Sequence, residues 1–239
     1  MRVYSATNIG MKRKMNQDYV FASQDTVGNL RTSLLLLMEW RHNAGDYASS
    51  HAVRILVDEI REDTDYNPVK VIRHAIETAN TEIIEQAQKD EKLRGMGTTM
   101  VVATIVGQYA YVANVGDSRL YVVDKQLRQI TRDHSLVDEM VRMGEINADE
   151  ARVHPDKNII TRAVGAADHV EADFFEVELC EDDRILLCTD GLTNMVRDKE
   201  ICDTIRQNDN IETAASQLVA MANANGGRDN ITVMIIKPF

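Results

Sequence analysis

The 239-residue chain is long enough to bury a full hydrophobic core, and with three prolines and no Pro/Gly/Ser-rich linker it reads as one domain, 1–239. Its formal charge of −11 argues against nucleic acid or an anionic membrane surface as partner, since both demand basic patches. The odd set Cys180, Cys188 and Cys202 reads as reduced, no run approaches a membrane span, and Met1 to Ser5 lack a signal-peptide core, so a cytoplasmic protein is expected.

Arg2 to Asn8 alternates weakly and predicts a first strand. A basic, polar segment from Gly10 carries Arg13 and Asp18 toward a second strand at Tyr19 to Ala22. Ser33 to Met38 is an apolar run expected to form a buried strand. Glu39, Trp40 and Arg41 lead out of it. Asp46 to Ile60 and Val69 to Ala87 have apolar residues at helical spacing, with Asp46 as N-cap of the first, and Lys89 to Arg94 is a charged connection. Met100 to Val106, Tyr109 to Val115, Arg119 to Val123 and Leu127 to Ile130 read as an antiparallel meander, its turns at Gly107-Gln108, Gly116-Asp117-Ser118 and Asp124-Lys125.

Asp133 to Gly144 predicts a helix, and the polar stretch from Glu145 to Pro155 a flap beside a site, with a short helix at Ala148 to Arg152. Strands are expected at Ile159 to Val164 and Phe174 to Leu179. Ile185 to Cys188 is an unbroken apolar run, as in a strand buried on both faces, and it ends abruptly in Thr189-Asp190-Gly191. An unpaired carboxylate at such a strand mouth costs on the order of several kcal/mol, so Asp190 wants a cation or a set of donors. Capping of the next turn is the plainer alternative. Helices at Lys199 to Arg206 and Ile211 to Asn223 follow, then the Gly226 to Asn230 turn and a last strand, Ile231 to Ile236.

Asp18, Asp117, Asp190 and Asp229 each stand at a strand edge beside glycine or small polar residues. Two stacked sheets can bring such ends to one rim. Oxygen ligands without His or thiolate pairs favour Mg2+ or Mn2+ over zinc. A two-ion site of this kind activates water for in-line displacement at phosphorus, and Arg13 offers the planar fork that grips phosphate oxygens. Turn preference alone also places Asp at strand ends.

Arg13 with Asn16-Gln17-Asp18, Met96 to Thr99, Asn114 to Arg119, Thr189 to Leu192 and Gly227 to Val233 follow one another in the order and spacing of the metal-dependent protein phosphatases of type 2C. The chain resembles that family from Tyr4 to Ile236, and Asp133-His134-Ser135 and Glu150 to Gly165 resemble its bacterial stand-alone members. The resemblance implies an α+β fold, two antiparallel β-sheets packed as a sandwich flanked by helices on both sides. It implies hydrolysis of phosphoserine and phosphothreonine on proteins by a binuclear Mn2+ or Mg2+ centre. By the same resemblance Asp190 and Asp229 are metal ligands, and Asp117 contributes to a third, weaker metal position. Asp18 acts directly or through a metal-bound water, and Arg13 holds phosphate. The implied partners are phosphorylated proteins, a serine/threonine kinase among them, acted on by a monomer.

One segment departs from the family. The pattern has Ala-Asp-Gly-Met-Gly-Gly-His ahead of Asn43, its Asp bridging both ions; here Leu36 to His42 contain neither Asp nor Gly. Leu37 to Arg41 can be encoded CTG ATG GAA TGG CGG, which read from its third base gives Asp-Gly-Met-Ala-Gly. A compensated frameshift between about Arg31 and Arg41 explains the segment, with a naturally divergent loop as the alternative. Glu39 is the only nearby carboxylate, one or two positions late, and is expected not to point at Asp190. Weak or no hydrolysis follows from that reading, or a protein that binds phosphoproteins without cleaving them.

Overall fold

The computed structural model describes the backbone of residues 1–30, 33–39, 45–93 and 95–239, and their side chains except at 33, 45–50 and 92. Trp40, Arg41, His42 and Arg94, and the side chain of Asp46 with its expected capping role, lie outside the described residues.

The strands in chain order are β1 (Arg2–Asn8), β2 (Asp18–Ser23), β3 (Ser33–Glu39), β4 (Met100–Val106), β5 (Tyr109–Val115), β6 (Arg119–Val123), β7 (Leu127–Gln129), β8 (Asp173–Glu178), β9 (Arg184–Cys188) and β10 (Ile231–Lys237). The helices are α1 (Gly45–Glu62), α2 (Pro68–Lys89), α3 (Leu136–Met143), α4 (Ala148–Val153), α5 (Asp190–Thr193), α6 (Asp198–Gln207) and α7 (Ile211–Ala224). One five-stranded sheet has the order β1-β10-β9-β6-β7 and the other β2-β3-β4-β5-β8. Every strand pairing is antiparallel.

The unbroken apolar runs are explained by what covers them. In β3, Leu35 and Leu37 face the opposite sheet and pack with Leu120, Leu187 and Met234, while Leu34, Leu36 and Met38 face Leu56, Ile60 and Ile72 of the α1–α2 layer. Across the sandwich, Leu186 and Cys188 of β9 turn outward onto Ile205 and Leu218 of α6 and α7. Both faces of both sheets are thus buried, and the architecture is α-β-β-α as the resemblance implied. Each fully buried leucine contributes roughly 1.5–3 kcal/mol, so the run in β3 is a large part of what fixes that strand.

Local signals set the helix ends. Asn67 accepts from the amides of Val69 and Lys70 with Pro68 opening α2, and Ser135 accepts from Asp138, so α3 starts after the expected Asp133. Asn147 and Glu150 form a reciprocal capping pair on α4. The strand expected at Ile159 to Val164 does not form. Ile160 and Val164 make isolated bridges to Ser135 and Thr98, and between them Arg162 reaches Asp173, so no neighbouring strand completes a ladder. No helix among the described residues is long and apolar enough to cross a membrane.

Candidate functional site

The site is built from acidic residues at or beside strand ends. Asp18 opens β2 and Glu39 closes β3, and the two are register partners across the antiparallel pair. Asp117 lies in the β5–β6 turn, Asp190 follows β9, and Asp229 precedes β10. Carboxylate oxygens of Glu39, Asp190 and Asp229 lie within 4.8 Å of one another. Glu39 and Asp190 are only 5% and 7% exposed, so water does little to screen that proximity.

The position of Glu39 corrects the expectation that it points away from Asp190. The sequence pattern ended the strand at Met38, but β3 continues through residue 39. Residue 39 then shares the parity of Leu35 and Leu37, which face the other sheet, and a strand keeps its faces over any even step. The strand end is fixed through its main chain. The amide of Thr99 and the hydroxyl of Thr98 donate to the Glu39 carbonyl at 2.9 and 3.0 Å, and the Ser118 hydroxyl lies 3.4 Å from Glu39 Oε2.

Asp18 is held from the opposite sheet. Its Oδ2 accepts hydrogen bonds from Thr189 Oγ1 at 3.1 Å and Thr232 Oγ1 at 2.7 Å, whereas its buried Oδ1 has no hydrogen-bond partner among the described residues. Burial pushes the Asp18 carboxyl up to about 7; the two hydroxyls oppose this, and the charges of Asp190 and Asp229 add to it. Thr189 stands at the N-cap of α5 without capping it, because its hydroxyl is spent on Asp18. Asp190 accepts at 3.2 Å from Nδ2 of Asn194, the C-cap residue of its own short helix.

Two glycines bring the backbone close to Asp229. A Cβ at Gly191 would stand 1.8 Å from the Asn230 carbonyl oxygen, and one at Gly10, where φ is +80°, would stand 2.1 Å from that of Asp229. Asn230 fastens the loop that carries Arg13: its Oδ1 accepts from the Gln17 amide at 2.9 Å, and its Nδ2 donates to the carbonyls of Ile9 and Met15 at 3.0 and 2.9 Å. Arg13 is half-exposed and donates to Asp229 Oδ2 at 2.7 Å, a bond that raises its pKa and keeps it charged.

Asp117 is not part of the tight trio. With Asp190 it lines a cleft of about 510 Å3 whose walls include residues of α3, α4, α5 and α6 together with Lys157 and Asn194. The polar excursion expected as a flap is therefore one wall of this cleft. Arg152 donates to the Thr193 carbonyl at 3.1 Å and Lys157 to Asn194 Oδ1 at 3.2 Å, tying it to α5. His134 supports the Asp117 turn by exchanging main-chain and ring contacts with Gly116, and its Nε2 lies 3.3 Å from Asp173 Oδ2.

Sequence reasoning missed Thr189, Thr232, Asn230 and His134 as supports. The available signal was a polar residue beside each acid in Thr189-Asp190 and Asp229-Asn230. The donor set suits a hard cation: the trio offers carboxylate oxygens, Asp18 Oδ1 is buried with no hydrogen-bond partner among the described residues, and Arg13 is bonded to Asp229. At such separations each pair of like charges repels by roughly 3 kcal/mol for an effective dielectric constant of about 20.

The family profile described as "Protein phosphatase 2C" matches residues 36–231. Protein phosphatase PhpP of Streptococcus pneumoniae serotype 2 is 39% identical over 242 residues, covering 99% of this chain and 97% of PhpP. Serine/threonine phosphatase stp of Listeria welshimeri is 43% identical over 201 residues, 82% of this chain and 80% of its own. Among solved structures, Stp1 of Staphylococcus aureus superposes with a TM-score of 0.91 at 33% identity over 98% of this chain and 93% of Stp1. The catalytic domain of the serine/threonine phosphatase PstP in complex with 2 manganese ions superposes with a TM-score of 0.85 at 30% identity, covering 98% of this chain and 96% of that one.

Proposed function

The chain belongs to the protein phosphatase 2C family of serine/threonine protein phosphatases, and on that premise we propose that it hydrolyses phosphoserine and phosphothreonine on proteins at the strand-end acid cluster. The observation that carries this reading is the convergence of three carboxylates within 4.8 Å beside Arg13 and above the Asp117 cleft. Asp190 and Asp229 would hold Mn2+ or Mg2+, two ions in all, with Asp18 next to them and a third, weaker position at Asp117. Ions bound there supply Lewis-acid stabilisation and an activated water for displacement at phosphorus.

The protein's own groups do the rest. Arg13 keeps its charge and its half-exposed fork meets the phosphate oxygens. Thr189 and Thr232 hold Asp18 Oδ2 in place, leaving Oδ1 turned to other duties. The cleft between α3, α4 and α5 receives the phosphorylated segment, with Arg152 and Lys157 on its wall. Its substrates are phosphorylated proteins, a serine/threonine kinase among them, and residues 1–239 act as one domain of a cytoplasmic monomer.

Turnover is set below that of relatives carrying the family's bridging aspartate. Residue 37, where that aspartate aligns, is a leucine fully buried between the sheets and offers no oxygen. Displacement of reacting groups by about 1 Å costs on the order of a hundredfold in rate. The same feature favours a second reading, a non-catalytic phosphoprotein binder. The test is Mn2+-dependent phosphate release from a phosphothreonine peptide by three proteins: the natural chain, Asp190→Asn, and a variant rewritten as Leu36→Ala, Leu37→Asp, Met38→Gly, Glu39→Met, Trp40→Ala and Arg41→Gly. Slow release by the natural chain, faster release by the rewritten variant and none by Asp190→Asn are expected. A rewritten variant that folds and binds the peptide but releases nothing would favour the binder.

A further inference from the structure

We propose that Glu39 replaces the missing aspartate, supplying with Asp190 and Asp229 the third carboxylate of one divalent-cation position. This rests on the metal-dependent reading above and adds a ligand foreign to the family pattern. Strand register is the first reason. Glu39, and not Leu37, is the residue of β3 paired with Asp18; Leu37 pairs with Val20 and Val101, deep among apolar side chains. The rim of the sandwich in this chain therefore falls at residue 39.

The second reason is the crowding of carboxylates at this rim. Acids directly opposite one another on adjacent strands destabilise a sheet, and Asp18 and Glu39 occupy such a pair. Glu39 then meets Asp190 and Asp229 within 4.8 Å, and Asp18 Oδ1 is buried with no hydrogen-bond partner among the described residues. Burial removes the solvent that would otherwise screen this charge: Glu39 is 5% exposed. Its carbonyl is bound by Thr98 and Thr99, so the main chain holds the side chain at this rim.

Calorimetric titration of Mn2+ into the metal-free natural chain, Glu39→Gln, Glu39→Asp and Asp190→Asn tests the assignment, with thermal melts read alongside. Removing an outer-shell partner of a metal costs about ten- to a hundredfold in affinity, and loss of a ligand should cost Glu39→Gln at least that. The rise in melting temperature caused by Mn2+ should shrink with it. Glu39→Asp keeps the charge on a shorter arm. A ligand predicts weakened binding there too, whereas a charge acting through space predicts none, so natural affinity in Glu39→Asp overturns the proposal even if Glu39→Gln fails to fold. Unchanged affinity in Glu39→Gln with reduced affinity in Asp190→Asn sinks the Glu39 assignment and leaves the phosphatase reading standing. Unchanged affinity in both variants sinks both.

Discussion

The two sides of the acid cluster are built differently. On the β9–β10 side, Asp190 and Asp229 sit in tight backbone, with Gly191 and Gly10 pressed against the carbonyls of Asn230 and Asp229. On the β2–β3 side, Asp18 and Glu39 sit at the ends of ordinary strands, faced by ladder register, with Glu39 held through main-chain bonds that do not depend on its side chain. The first side works only with particular residues at particular positions. The second tolerates a change of residue, because pairing and alternation deliver whatever side chain stands at the rim.

The strongest way to break this comparison is to place the aspartate where the family pattern puts it without changing anything else. Leu37→Asp buries a carboxylate among Leu35, Leu120 and Leu187. It should cost about 3–5 kcal/mol, the range for an uncompensated buried charge, and lower the chemical denaturation midpoint accordingly. If the single variant instead melts like the natural chain and releases phosphate faster, residue 37 lies at the rim and the register of β3 is wrong.

A second variant probes the rigid side. Gly191→Ala drives a methyl into the Asn230 carbonyl at 1.8 Å, so the Asp229 loop has to move away from Asp190. Overpacking of this kind costs about 1–3 kcal/mol, and Mn2+ affinity should fall with it. Urea titration and calorimetry read the two effects. A Gly191→Ala protein with natural stability and affinity would mean that both sides are equally tolerant.

The smallest effect concerns the support of the Asp117 turn. Burial lowers the pKa of His134, and its bond to Asp173 only partly offsets this. Below the ordinary histidine value of about 6.5 the unfolded chain takes up a proton that the folded chain resists. Stability should therefore decline as pH falls through that value, and be fully present above it. Urea midpoints at pH 7.5 and 5.5 should differ less in His134→Gln than in the natural chain; an equal pH dependence would remove His134 from the account.

Much of the sandwich could be read from the sequence because its strands are apolar runs bounded by glycine and aspartate turns, and β1, β4, β5 and β6 begin and end where the pattern puts them. Asp190 and Asp229 were legible for a related reason: each is a charge abutting an apolar run. Glu39 was not. Its orientation depends on whether β3 extends one residue further, and that is decided by a carbonyl bond from Thr99, 60 positions away in sequence. The false strand at Ile159 to Val164 failed in the same way. Its composition suits a strand, but both sheets close without it, and only the isolated bridges of Ile160 and Val164 remain.

The bonds from Thr98 and Thr99 to the Glu39 carbonyl have a genetic consequence. They grip a peptide group, which every residue possesses, and so are blind to the codon at that position. A reading-frame lesion confined to the end of β3 can exchange its side chains while leaving the anchor and, given apolar replacements, the strand intact. Such an allele passes the folding checks that remove most damaged proteins, because it alters chemistry without exposing core. What such a lesion changes is the set of oxygen ligands at the rim, and not the packing beneath it.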